Sequence, residues 1–387
     1  MFRSKGSIGI DIGSSSVKVV QLKKGADGYE LEKAGMAPLY PDGERSGDPA
    51  VRRKAKVEAI KRAISDAGIS CKSAVSAVSG ESIIVRYLQL PNMPEEELKK
   101  ALQWEAEEYI PFRLDEVNID SMVLGKSEGG DDRVDVLLVS AKKELVEEHV
   151  SIIRDAGLTP RIVDLDSFAF LNCFEVSGDD GGGDAVALIN IGSDITGICI
   201  YHKGISRFSR DISMGGGTIT EAIRAHLRCS YKEAEVLKLT QGALPESGAS
   251  GEETAPFSSS LMDTIRGTVE EMTGGAAGDS QTPEAQVSKA VCGVINELVS
   301  EVRRSVEFFE NQIRGLNVTR VVLGGGSCGL GNMREYFERE LGLPAELFDP
   351  LRRVRLTGKD LNPARLDPLR HSLGVGIGLG IRGCLAA

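Results

Sequence analysis

The stretch IGIDIGSSSVKVVQL, residues 8–22, alternates apolar with polar positions, breaks at Gly13-Ser14-Ser15-Ser16, and resumes through Val17, Val19, Val20 and Leu22. Period-two patterning interrupted by small residues predicts two strands joined by a tight turn. The same hairpin occurs a second time. Displaced by 179 positions, Ile10-Asp11-Ile12-Gly13-Ser14 falls on Ile189-Asn190-Ile191-Gly192-Ser193, and Lys24-Gly25 falls on Lys203-Gly204. Val17, Val19 and Leu22 fall on Thr196, Ile198 and Tyr201. A strand–turn–strand repeated at this distance predicts two related lobes rather than a solenoid of short units. The Gly- and Asp-rich run from Ser177 to Asp184 precedes the second copy and reads as the boundary between them.

Two facing lobes that each offer a small-residue turn would clamp a polyphosphate, because small residues let backbone N–H groups approach anionic oxygens closely. Lys18, two residues past the first turn, could reach the same phosphates. Gly215-Gly216-Gly217 leads into Thr218 and Glu221, which predicts a capping box and a helix N-terminus suited to an anion. The pattern repeats where a predicted strand, Val318 to Leu323, enters Gly324-Gly325-Gly326-Ser327 ahead of a helix over 332–341. Ser230 and Glu233 predict a capping box for a helix that places Glu235 and Lys238 on one face. On spacing alone that pair is a surface ion pair.

The remaining chemistry is excluded rather than found. The 387 residues exceed one core, so at least two domains are expected. A net charge of −11, from 46 Lys and Arg against 57 Asp and Glu, repels phosphate backbones and argues against nucleic acid as a partner. Seven cysteines without a C-x-x-C pair, and four histidines, predict reduced thiols and neither a zinc site nor a disulfide framework. MFRSKGS runs straight into the first strand and no stretch approaches the ~20 apolar residues that span a bilayer, so a soluble, cytoplasmic chain is expected. Gly125-Lys126-Ser127 imitates the end of a P-loop, but Asp120 stands where its first glycine belongs. Gly374, Gly376, Gly378 and Gly380 read as the small face of a tightly packed terminal helix, and Glu148-His149 as a polar helix face.

The repeated D-x-G-type hairpin, the GGG loop and the late strand–GGGS turn together resemble the actin-like ATPases, which include actin, DnaK-type chaperones, sugar kinases and FtsA. That resemblance implies an α/β, two-lobed fold of duplicated RNase H-like cores that binds ATP with Mg²⁺. It implies that Gly13, Ser14, Ser15, Ser16 and Lys18 form one phosphate segment, and Gly192, Ser193 and Thr196 the other. Gly215, Gly216 and Gly217 join them, while Glu235, Lys238 and Gly324, Gly325, Gly326 and Ser327 match the family's adenosine-binding positions. Asp11 would stand near the metal through water, since aspartates often leave Mg²⁺ hydrated. Within this superfamily LPNMPEEELKKALQWEAEEYIPFRLDEVNID, residues 90–120, resembles the PilM family of type IV pilus assembly. From the residues alone it is an amphipathic acidic helix, begun near Pro94 and ended by Pro111, followed by a strand.

The resemblance implies an FtsA-type layout: a first-lobe core over 1–80 with 159–180 and 363–387, and an inserted subdomain over 81–158. The second-lobe core would take 184–213 with 284–362, and its outer part 214–283. It further implies a cytoplasmic adaptor, peripheral to the inner membrane through partners. That adaptor would bind the N-terminal cytoplasmic segment of PilN, alongside other platform and motor proteins. A homo-oligomer or ring is left open. No acceptor-pocket motif of a sugar kinase is found, no chaperone β domain, and no terminal membrane-anchoring helix. Asn190 departs from the family's acidic residue; an amide neither accepts a proton nor neutralises a metal, so slow or negligible hydrolysis is expected, with Asp11 and Asn190 the only catalytic candidates. An FtsA-like polymerising protein and a slow ATPase or kinase of the same fold are the alternatives.

Overall fold

The computed structural model describes residues 7–26, 28–41, 43, 45–127, 132–178, 183–245, 282–313, 315–358, 361 and 366–386. Residues 179–182 of the predicted boundary, 246–281 of the outer part, and Pro363 lie outside them.

The first hairpin forms as its alternation predicts. β1 (Ile8–Ile12) pairs antiparallel with β2 (Ser16–Gly25), which pairs with β3 (Gly28–Pro38). β4 (Ser73–Val78) lies parallel to β1, and β8 (Thr159–Leu165) parallel to β4. In the second lobe β9 (Ala185–Ile191), β10 (Thr196–His202) and β11 (Ile205–Ile212) form the antiparallel part. β12 (Val318–Gly324) lies parallel to β9, and β13 (Ala345–Leu347) parallel to β12. The strand orders β3-β2-β1-β4-β8 and β11-β10-β9-β12-β13 are therefore the same, so the duplication read from one hairpin extends to the whole sheet. The registers match as well: Asp11 stands opposite Lys18, and Asn190, 179 positions on, opposite Gly197.

One strand crosses the expected division. β14 (Val354–Leu356), within the stretch predicted for the second lobe, pairs with Tyr29–Leu31 of β3 and adds a sixth strand to the first sheet. Two apolar helices lie between the sheets. α4 (Asp166–Val176) buries Phe170 and Phe174, and α9 (Gly374–Leu385) buries Ile377, Leu379 and Ile381. They share one core with Val20 and Val75 of the first sheet and Val186, Leu188 and Tyr201 of the second. The glycines of α9 are its contact face, as expected. A Cβ on Gly378 would stand 1.7 Å from the Ala169 carbonyl, so backbone touches backbone there.

Behind the second sheet α7 (Pro283–Gln312), capped by the Thr282 side chain, buries Val287, Val291, Ile295, Leu298, Val302, Val306 and Phe309. That helical period is what an amphipathic helix needs to lay one stripe on a sheet. Behind the first sheet α1 (Pro49–Asp66), capped by Asp48, packs with α3 (Lys143–Asp155), whose Ile152 and Ile153 join Val57 and Ile60 in the core. The inserted stretch forms a separate antiparallel sheet in the order β5-β7-β6, from β5 (Ile83–Pro91), β6 (Val117–Lys126) and β7 (Arg133–Lys142). α2 (Glu95–Tyr109) covers one face through Leu98, Leu102 and Ala106 and stops before Pro111.

Candidate functional site

In open sheets ligands sit beyond the carboxyl ends of parallel strands. The carboxyl ends of β1, β4 and β8 deliver the Gly13 turn, Ser79-Gly80 and Asp166, and those of β9 and β12 deliver the Gly192 turn and Gly325. The two edges meet. The Gly80 N–H donates to Asp211 at 2.6 Å, the Ser209 hydroxyl to Ser167 at 3.0 Å, and Ser213 to Glu81 at 2.8 Å. Arg45, from the loop after β3, bridges to Asp194 in the second turn.

Both turns close by the same bond, Gly13 N–H to the Ser16 carbonyl at 3.1 Å and Gly192 N–H to the Ile195 carbonyl at 3.0 Å. Among the described residues, the backbone N–H groups of Ser14, Ser15, Ser193 and Asp194 donate to no protein acceptor. Such groups are available to an anion. Beneath the first turn Lys18 Nζ lies 3.2 Å from Asp11, both side chains largely buried, and a Cβ on Gly13 would stand 3.5 Å from that ammonium.

The second turn is braced from below. The Gly216 and Gly217 N–H groups donate to the carbonyls of Gly192 and Ser193 at 2.9 and 2.7 Å, and Ser327 donates to Gly192 at 3.1 Å. Those two N–H groups thus fasten the loop to the hairpin, a different use from the anion cradle expected of them. Thr196 is fully buried, and its hydroxyl donates to the Met214 carbonyl at 2.8 Å, holding the same loop from the strand side. α5 (Gly216–Leu227) begins two residues earlier than its predicted cap. Thr218 stands in its first turn and accepts from the Gly215 N–H at 3.3 Å, while Glu221 pairs with Arg224. The Ser230–Glu233 box at the head of α6 (Tyr231–Gln241) forms as expected.

Glu235 and Lys238 are more than a surface pair. Lys238 is buried and donates to the Gly216 carbonyl at 3.1 Å, Thr220 at 2.9 Å and Glu235 at 2.7 Å. A Cβ on Gly216 would collide with Ser327 Oγ and lie 3.5 Å from Lys238 Nζ, so the GGG loop, the GGGS turn and α6 converge on one place. Gly325, at φ +97° with no space for a Cβ beside Ile191, needs glycine, and its N–H is held by the His371 carbonyl at 2.8 Å.

Reading by motif missed Asp166. It is the first residue of α4, enclosed near Asp11, Lys18 and Asp211, with Ser79 donating to it. Burial first, then the Asp11 and Asp211 charges, push its carboxyl up to about 7. The available signal was positional: an acid at a strand-to-helix junction, on the edge where clefts form. His149, read as part of a polar face, instead hydrogen-bonds Ser76 at 2.9 Å, and burial with the Lys56 charge pulls it down to about 4.

Two lobes of identical strand order, clasped at their carboxyl edges around paired turns, define the actin-like ATPase fold. The family model for type IV pilus assembly protein PilM matches residues 9–279 and 276–384, and the chain belongs to that family. A solved PilM-PilN type IV pilus biogenesis complex is similar at TM-score 0.77 and 25% identity, covering 98% of each chain. The cell division protein FtsA of Staphylococcus epidermidis is 25% identical, over 89% of this chain and 74% of its own length. FtsA of Bacillus subtilis is 24% identical, over 77% and 70%.

Proposed function

We propose that the chain is an ATP-binding adaptor of a type IV pilus inner-membrane platform, holding the N-terminal cytoplasmic segment of a PilN-type protein. The observation that carries it is the end-to-end match to a chain of a PilM-PilN complex by a chain whose two turns keep N–H groups without a protein acceptor. On this reading the protein lies on the cytoplasmic side of the membrane and reaches it through partners. Among the described residues no helix is long and apolar enough to cross a membrane.

The residues fit a nucleotide. Ser14, Ser15, Ser193 and Asp194 supply free N–H donors, Lys18 a cation, and Glu235, Lys238 and the Gly324–Ser327 turn, brought together at Gly216, the positions for adenosine. Mg²⁺, when bound, offsets phosphate charge; Asp11 would hold it through water while Lys18 holds Asp11 in place. Asn190, facing Gly197, adds no second charge, so phosphate release is expected to be slow.

A partner segment would occupy the cavity of about 360 Å³ between the first lobe, β5 and β11, walled by Val78, Ile83, Ile84, Val85 and Leu165. Its floor includes Gly80 and Asp211, which also clasp the lobes, so segment and nucleotide would act on one contact. The test is anisotropy of a labelled PilN tail peptide, with and without Mg-ATP. Ile84→Glu should weaken it at least tenfold, and Lys18→Ala should remove the nucleotide dependence. No binding by the wild type, or filaments that pellet with ATP alone, would favour the FtsA-like alternative instead.

A further inference from the structure

A second cavity, of about 250 Å³, reaches both turns: Ser14 of the first and Asp194 of the second line it. Its other walls come from Leu39, Tyr40 and Arg45 after β3, from the first turns of α1 and from Glu148 of α3. Four cations line it, Arg45, Arg52, Arg53 and Lys56, against Glu148 and Asp194. Asp194 is already answered by Arg45, and Arg53 is engaged by Asp155 at 2.6 Å and Ser151 at 3.1 Å. Arg53 still leaves its buried Nη1 without a partner. Among the described residues the side chains of Arg52 and Lys56 have no ion-pair partner, so the cavity carries a surplus of positive charge at a helix N-terminus.

We propose that this cavity is a binding site for a free phosphate-sized dianion, held by Arg52 and Lys56 of α1 beside the two turns rather than by Lys18 beneath the first. Several features together point to a ligand. Cations crowded into a recess repel one another, and His149 behind Lys56 is held neutral rather than adding to them. A dianion relieves that repulsion, and arginine's planar fork suits its oxygens. Because Ser14 and Asp194 belong both to this wall and to the two turns, an occupant would tie those turns together.

The test needs no nucleotide and so fails separately from the ATP reading. Thermal unfolding of the nucleotide-free chain is followed with millimolar inorganic phosphate, against chloride at matched ionic strength. The wild type should gain about 2 °C at a tenfold excess over Kd. Lys18→Ala should keep that gain, and Arg52→Gln with Lys56→Gln should lose it. Titration calorimetry on Arg52→Gln alone, an exposed position, gives a second measure, expected about tenfold weaker. A gain retained by the double variant but lost in Lys18→Ala would move the anion to the cleft and overturn the site. So would an equal gain in chloride, or none at all.

Discussion

The two hairpins share their backbone and differ in almost everything hung on it. Each closes with one bond between equivalent residues, and each register places positions 179 apart in the same pairing. The first carries a charged pair, Asp11 with Lys18, under a turn that takes one backbone bond from outside, from Leu39 to Ser15 at 2.8 Å. The second carries the uncharged pair Asn190 and Gly197 under a turn gripped by Gly216, Gly217, Ser327 and, across the cleft, by Arg45 on Asp194. Duplication therefore preserved geometry while dividing the work: one turn supplies electrostatics, the other a rigid support. A turn fixed to its own lobe moves with that lobe as one piece.

The sharpest way to break this comparison is steric. A Cβ at Gly215 would stand 2.5 and 2.6 Å from the carbonyls of Gly192 and Ser193, where backbone cannot give way. Gly215→Ala should cost about 3 kcal/mol in denaturant unfolding. At Gly13 the nearest atom to a Cβ is the Ser16 carbonyl at 3.0 Å, over a turn with fewer restraints. Gly13→Ala should cost about 1 kcal/mol or less. Equal losses would mean that the first turn is braced by something beyond these contacts.

Charge gives the next largest effect. Lys18→Ala removes the cation that pairs with Asp11 under the first turn, so Mg-ATP affinity should fall about 30-fold, or ~2 kcal/mol. Thr196→Val in the second hairpin breaks only the bond to Met214 and should cost less than about threefold in calorimetry. If Thr196→Val matched Lys18→Ala, the division between electrostatic and supporting turns would fail.

How far these features could be read from sequence follows from how local they are. The hairpins, the β12 turn, and the Ser230 cap are written within a few consecutive residues and form as the pattern predicts. α5 was displaced because its first turn is set by a contact outside it: Gly216 and Gly217 bind a turn more than twenty residues upstream. β14 is three residues long, too short to carry a period, and pairs with a strand more than three hundred residues away. Asp166 has the same difficulty, since Asp11 and Asp211 reach it only through the assembled fold. Lys238 was visible as half of an ion pair, but its burial depends on the carbonyl of Gly216.

Asp166 and His149 sharpen the comparison through pH, because both lie in the charged first lobe. Asp166 is raised from 3.8 to about 7, so between those values the folded chain holds a proton that the unfolded chain has released. Stability from this group is full at low pH and declines as pH rises toward 7. Asp166→Asn should remove that decline, a gain of about 2 kcal/mol at pH 8 after allowing for solvent in the cleft.

His149 has the opposite sign and the smaller effect. Burial, then the charge of Lys56, lowers it from 6.5 to about 4, so the unfolded chain binds the extra proton between those values. Stability from this group is present above 6.5 and lost as pH falls through 4. His149→Gln, whose amide can still meet Ser76, should recover about 1 kcal/mol near pH 4.5 and nothing at pH 8. The two windows overlap, so the wild-type curve between pH 4.5 and 6.5 should be flatter than either variant's. Asp166→Asn should rise with pH across that range, and His149→Gln should fall. Parallel curves for the three proteins would place both protons elsewhere. A tilt in His149→Gln that Lys56→Gln reproduces in part would tie this histidine to the charge of the basic cavity.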